Sequence, residues 1–255
     1  MIANPTPRYY LIYRLLKHAI ESRQFNSNER LPSENALAQK HQVSRLTIRR
    51  SLELLQREGL IERRQGLGTY PILGNIKAQP LVADINKLLT HINKMGANTR
   101  AQLLSFGYEA PQADIQNRLE LAANVKVQKT IRVRYYHDEP FSYLITYVPE
   151  HIGKRYTEQD LERDPIQVLF KKLGIRPSSA DQSLTATLAD APHSDALKVE
   201  VGSPLLCIKR VVRDDSNTPV EYLIATYNPQ RFEYRMTMSN KRSKGREIWV
   251  GNEGA

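Results

Sequence analysis

Arg45, Thr47, Arg49 and Arg50 stand within six positions of one another and carry the most pointed chemistry in the chain. A guanidinium can pair bidentately with guanine O6 and N7, and hydroxyls such as those of Ser44 and Thr47 can hold phosphate oxygens. If this stretch is helical, Arg45 and Arg49 lie one turn apart on one face, as a helix entering the DNA major groove requires. Downstream, Arg63, Arg64, Gln65 and Gly66 form a basic turn able to reach a neighbouring groove or the backbone, and Gly66 and Gly68 allow close approach. On charge alone, a solvated basic helix face explains the first cluster as well. A second pair, Arg132 and Arg134, is two apart in a run of strand character, so both side chains share one face. Two guanidiniums facing one way suit a carboxylate or phosphate. The plainer alternative is a pair of surface or ion-paired arginines with Glu221 as partner.

These residues need elements to hold them. Helical spacing over 9–23 puts Ile12, Leu15, Leu16, Ala19 and Ile20 on one side. Ser33 caps a second short helix, with Glu34 favourably placed at its positive end. His41-Gln42-Val43 makes a tight turn, and Ser44 caps a third helix running through Ile48, Leu52 and Leu55 to a stop at Gly59. Two short strands about Gln65–Gly68 complete a hairpin. Three helices and a hairpin outline a winged helix-turn-helix over 1–72. Residues 73–80, bracketed by prolines, read as a linker. From 81 to 240 the texture changes. An amphipathic helix over 81–94 precedes strands at 100–108, 125–136, 141–148, 182–188, 205–213 and 220–227, with helices at 111–121, 165–173 and 191–198. The fold class predicted is α+β, with a mainly antiparallel sheet carrying helices in the second domain. Residues 241–255 read as a basic, mobile tail.

Composition narrows the function. The chain of 255 residues has a net charge of +10. Residues 1–70 hold 12 basic and 6 acidic side chains, so the first quarter carries over half of the excess. A basic small domain suits a polyanion. No apolar run approaches membrane-spanning length, and the N-terminus has no signal-peptide core, which together predict a cytoplasmic protein without a membrane partner. The single Cys207 excludes an intrachain disulfide and cysteine-type zinc sites. The histidines, at 18, 41, 91, 137, 151 and 193, have no ligand spacing, and no nucleophile–base pair is evident. Neither a metal nor a cofactor is expected, and an enzyme is the weaker reading.

Several pieces at the right separations resemble the DNA-binding domain of the GntR superfamily of bacterial regulators: Leu31-Pro32-Ser33-Glu34, Val43 to Arg49, Leu55 to Ile61, and Gln65 to Tyr70. The chain departs from the family at Asn28, where a glycine is usual, and at Asn35, where an arginine is common; the second change would remove a base contact. The resemblance implies that Arg45, Thr47 and Arg49 contact bases and phosphates, with Ser33 and Gly66 near the backbone. Glu34, Ser44, Arg50, Arg64 and Gln65 complete the expected DNA-binding set. Residues 81–238 resemble the effector domain of the HutC-type branch, the UTRA domain with a chorismate-lyase-like fold. Ile131 to Arg134, Glu139-Pro140, Tyr147 to Pro149, Val201 to Leu206, Lys209-Arg210, Val220 to Tyr222, Tyr227 and Gln230 to Tyr234 carry this likeness. It implies an effector pocket in which Glu221 and Tyr227 match effector-contacting positions, and with Arg132, Arg134 and Tyr143 they make up the expected effector-binding set. Amino-sugar-phosphate sensors of the branch place a glutamate where this chain has Leu144, and Tyr143 and Tyr147 make that strand aromatic. Both features weaken a sugar phosphate and open the way to a flatter organic acid, so the effector expected is one or the other, with core or dimer-interface packing as the plainer role for the tyrosines. The expected protein is therefore a homodimeric repressor, or an activator of the same build, released from a near-palindromic operator by a small anion.

Overall fold

The computed structural model describes residues 6–26, 29–73, 81–84, 99–243 and 246–251, and the chain divides into two units, Met1–Ala78 and Gln79–Ala255. In the first unit, α1 (Arg8–Glu21), α2 (Glu34–His41) and α3 (Arg45–Arg57) enclose a core of Ile12, Leu16, Ile20, Leu37, Ile48, Leu52 and Leu55. These residues recur at three- and four-residue intervals, which is why each helix has one face to bury. The starts of α2 and α3 are set by side chains. Ser33 Oγ accepts the Ala36 amide and Ser44 Oγ the Thr47 amide, both at 3.2 Å. Gln42 ends α2 at φ +52°, and Gly59 turns the chain out of α3 at φ +68°. Strands β1 (Ile61–Arg64) and β2 (Gly68–Pro71) then pair antiparallel, with Gly66 at φ +74° in the connecting turn. The Tyr13 hydroxyl donates to Glu58, as does Lys17 Nζ at 2.8 Å, tying α1 to the end of α3. Burial and the Glu58 carboxylate push the Tyr13 phenol up to about 12.

The second unit is built on six antiparallel strands. They are β4 (Arg100–Glu109), β5 (Val127–Tyr136), β6 (Glu139–Pro149), β7 (Pro177–Leu188), β8 (Pro204–Asp214) and β9 (Pro219–Tyr227), in the order β4-β5-β6-β9-β8-β7. Short helices follow or connect them: α4 (Ala113–Arg118), α5 (Glu150–Gly153), α6 (Glu158–Arg163), α7 (Ile166–Lys172) and α8 (Ala191–Leu197). The sheet is buried on both faces along its centre. Val148, Val212 and Val220 pack with Leu161, Leu169 and Phe170, whereas Val133, Tyr143 and Leu205 pack with Leu197. The α+β class and the antiparallel sheet are as the sequence predicts.

Two expectations are corrected. Residues 81–84, expected to open an amphipathic helix, are a strand, β3 (Leu81–Asp84), paired parallel with β10 (Phe232–Arg235). Leu81 packs in the cluster that holds Phe232, and its amide donates to the Arg231 carbonyl at 2.9 Å, so a distant partner overrides the local helical pattern. The rest of the expected helix, and all of the expected linker except Leu73, lie outside the described residues. The basic stretch expected to be a mobile tail is mostly a hairpin: β11 (Met238–Ser243) pairs antiparallel with β12 (Arg246–Gly251).

The sequence reading gave no element to 150–163, where α5 and α6 lie. Thr157 and Asp160 form a reciprocal capping box at the start of α6. Gly153 of α5 lies against β5: its carbonyl accepts Gln128 Nε2 at 2.9 Å, and a Cβ at this glycine would meet Gln128 Cβ at 2.7 Å. Gly153→Ala is therefore expected to cost about 1–3 kcal/mol by overpacking. Chemical denaturation checks this, and an unchanged midpoint would mean that the contact relaxes freely.

Candidate nucleic-acid interface and anion cavity

On the first unit Glu34 brings part of the expected set, Arg45 and Arg49, together with Arg63. Ser44, Arg45, Arg49 and Arg50 are exposed on the first two turns of α3, and Thr47 is half-buried among them. The Thr47 and Ser44 hydroxyls lie 2.8 Å apart. Glu34, at the start of α2, gathers the guanidiniums: Arg49 at 3.3 Å, Arg45 at 3.8 Å and Arg63 of β1 at 3.9 Å. Exposed pairs of this kind add about 0–1 kcal/mol each. Their consequence is geometric, since one carboxylate holds arginines from the helix and the hairpin side by side. Arg64 is held differently. Its Nε donates to Glu62 Oε1 at 2.7 Å and its guanidinium lies 4.5 Å from the Tyr70 ring centre. Gln65 and Gly66 are exposed at the hairpin tip, and nothing lies within 4 Å of a Cβ placed on Gly66. Ser33 serves as the α2 cap, and Asn35 is exposed beside it.

In the second unit, strand parity decides the site. Register pairs Arg132 with Leu144, Leu144 with Ala225, and Ala225 with Ile208, so these residues share one sheet face. Arg134, Glu221, Leu223 and Tyr227 belong to the same face. With Pro165, Ile166 and Gln167 from the start of α7, and Arg210 from β8, they line a cavity of about 50 Å³. Its charged groups are buried: Arg132 is 5 % exposed, Arg210 4 % and Glu221 1 %.

The polar contacts around this cavity are sparse. Gln167 Nε2 donates to Glu221 Oε2 at 3.4 Å, and Arg210 Nε donates to Gln182 Oε1 at 2.8 Å. Arg134 donates through Nε and Nη2 to Thr99 Oγ1, at 3.0 and 2.6 Å. Arg132 Nε has no hydrogen-bond partner among the described residues. Burial raises the Glu221 carboxyl, and Arg210 and Arg132 counter it. Burial lowers the Arg132 guanidinium, and burial together with the neighbouring Arg132 pushes Arg134 down to about 10. Burial also pushes the Tyr227 phenol up to about 12. Each positive group here is short of solvation, a condition that an incoming anion relieves.

Tyr143 is the correction. It pairs with Val133 and Thr226, one residue out of step with Arg132, and so faces the other side of the sheet. There it lines an open groove of about 340 Å³ with Gln102, Leu104, Tyr135, Asp195 and Lys198. That groove is the larger depression, but its charged residues Asp195 and Lys198 are both exposed. The smaller cavity holds the desolvated guanidiniums and is the candidate anion site. Leu144 does face that cavity. Arg210, Gln167, Gln182 and Thr99 were missed by sequence reasoning: Arg210 stands in a conspicuous Lys-Arg pair on β8, but only the sheet order brings it to the same face as Arg132.

Comparison with known proteins agrees with both halves. The model for bacterial regulatory proteins of the gntR family matches residues 8–70, and the model for the UTRA domain matches residues 94–233. The chain is 24% identical to the HTH-type transcriptional repressor NagR of Bacillus subtilis over 231 residues, covering 91% of this chain and 94% of that protein. It is 27% identical over 207 residues to the histidine utilization repressor of Pseudomonas aeruginosa, covering 81% of each. The crystal structure of YydK from Bacillus subtilis superimposes with a TM-score of 0.56 at 21% identity, covering 91% of this chain and 99% of that one, which shows a shared fold.

Proposed function

Because the chain belongs to the GntR family of transcriptional regulators, with a UTRA domain as its second half, we propose that it is a homodimeric repressor that leaves its operator when a small anion enters the Arg132–Arg134 cavity. The observation that carries this reading is the buried cluster of guanidiniums, Arg132, Arg134 and Arg210, beside which Glu221 is the one carboxylate among the described lining residues. Two relatives are named repressors, which supports the sign of regulation. In this reading α3 lies in the major groove, with Arg45 and Arg49 toward base edges and Ser44, Thr47, Arg50 and the hairpin residues Arg64, Gln65 and Gly66 toward the backbone. Ser33 fixes the start of α2, and Glu34 holds the arginines in register. Two copies related by a dyad place two such helices about one turn of DNA apart, so the operator is a near-palindrome.

A route for coupling exists within the second unit. Tyr227, in the cavity wall, stacks on Phe232 of β10 with ring centres 3.9 Å apart. Arg210 reaches the same strand through Gln182, whose Nε2 donates to the Tyr234 hydroxyl at 3.2 Å. β10 in turn pairs with β3, the first described strand of this unit. An anion that draws Arg210 and Tyr227 inward therefore acts on the strand pair next to the segment arriving from the DNA-binding unit. A coupling of about 1–3 kcal/mol would change operator affinity roughly 5- to 150-fold.

The test is fluorescence anisotropy of an operator selected from random duplexes, titrated with small carboxylates and phosphate esters. Release by one of them supports the reading, and continued full occupancy with all of them contradicts it. Phe232→Leu, which keeps an apolar side chain but removes the stacked ring, is expected to leave operator affinity within about twofold and to shrink the effector-induced change. An effector response equal to wild type would remove Tyr227–Phe232 from the coupling route.

A further inference from the structure

We propose that Glu34 sets the specificity of the DNA-reading surface: its carboxylate weakens binding to unrelated duplex more than binding to the operator, and does so without reading a base. The proposal rests on the reading of α3 as the helix that enters the major groove. One carboxylate here serves three guanidiniums from two elements. Nη2 of Arg45 and of Arg49 both approach Glu34 Oε2, at 3.8 and 3.3 Å, and Nη2 of Arg63 approaches Oε1 at 3.9 Å. Of the three, Arg49 donates a hydrogen bond to the carboxylate; the other two contacts are attraction between charges. The side chains of Arg45 and Arg49 are 63 % and 50 % exposed and that of Glu34 is 24 % exposed, so the carboxylate sits behind guanidiniums whose outer sides face solvent. Duplex of any sequence offers these arginines phosphates. A phosphate that reaches them also meets the carboxylate behind them, and the like charges repel. A guanine edge accepts two hydrogen bonds and, carrying no net charge, is repelled far less. A guanidinium already oriented by Glu34 also loses less freedom in pairing with it. The carboxylate therefore works against phosphate contacts and for base contacts, which widens the gap between the two complexes from both sides. Its pairs with the arginines are exposed, and so weak enough for base contacts to replace them.

The test compares the wild-type full chain with Glu34→Gln, which is nearly isosteric and uncharged, by fluorescence anisotropy on the selected operator and on a scrambled duplex of the same length. Glu34→Gln is expected to bind the scrambled duplex about 3-fold tighter or more at low salt, with a salt slope steeper by up to about one. Operator affinity is expected to stay level or fall, so that the specificity ratio drops by about 3-fold or more. Glu34→Asp keeps the charge and is expected to bind the scrambled duplex within about twofold of wild type. Thermal melting checks that both variants fold. Equal tightening on both duplexes would leave Glu34 a general brake on DNA binding, and no change on either would leave it a surface residue. A loss on the operator with the scrambled duplex unaffected would make Glu34 a base-reading group, an acceptor from cytosine N4. A loss on both would make its role structural, and tighter binding of the scrambled duplex by Glu34→Asp would show that its charge is not the cause. Each of these outcomes overturns the proposal and leaves the DNA-binding reading standing. If wild type selects no operator from random duplexes, that reading fails and the proposal fails with it.

Discussion

Arg132→Met is expected to bind the operator as wild type does and to lose release by effector altogether. Methionine nearly fills the space of the arginine stem, so the sheet face keeps its packing, while the guanidinium whose Nε has no hydrogen-bond partner among the described residues is gone. The substitution also removes a desolvated charge, so the protein should melt no lower than wild type. Charge-assisted hydrogen bonds of a buried guanidinium contribute about 1.5–3 kcal/mol each, and loss of a bidentate pair would take effector affinity down 100-fold or more. Anisotropy measurements with and without effector check both parts. Release at the wild-type concentration would show that the effector binds elsewhere, and the groove lined by Tyr143 and Lys198 would be the next place to look.

Arg49→Ala is expected to do the converse. Operator affinity should fall by about 1–3 kcal/mol, roughly 5- to 150-fold, while binding to unrelated duplex falls much less and the effector still binds the cavity. The contrast follows from position. Arg49 is exposed, one turn beyond Arg45, and the Glu34 carboxylate at 3.3 Å steers its fork without burying it. If it contacts only phosphate, the loss will be uniform across sequences and the salt slope will drop by about one. Equal losses on operator and unrelated DNA would assign Arg49 to the backbone and leave Arg45 as the base-reading residue.

Most of the first unit was legible because its determinants are local. Ser33 and Ser44 cap the helices they precede, apolar residues recur at helical intervals, and Gly59 and Gly66 take the positive φ values their turns require. The cavity was half legible. Alternation along β5 puts Arg132 and Arg134 together from sequence alone, and Glu221 and Tyr227 share their own parity on β9. The aromatic ring of Tyr143 suggests a place in the pocket, but the same alternation, carried across to β6, excludes it because it pairs with Val133. Arg210 was not recoverable in this way, since its place depends on strand order over some eighty residues of chain. Long-range pairing also accounts for 81–84: the helical spacing there is real, but Phe232 and Tyr234 of β10 offer a strand partner that no local window contains.

In the proposed function one chain couples an anion cavity to a DNA-reading surface. This coupling is tested most directly by titrating the operator complex of the wild-type chain with small anions while anisotropy is followed, beside the same titration on Arg132→Met. At least one small anion is expected to lower wild-type operator affinity by about 5-fold or more and to do nothing to the variant. An anion that releases both proteins equally, or a wild-type complex indifferent to every anion, would contradict it.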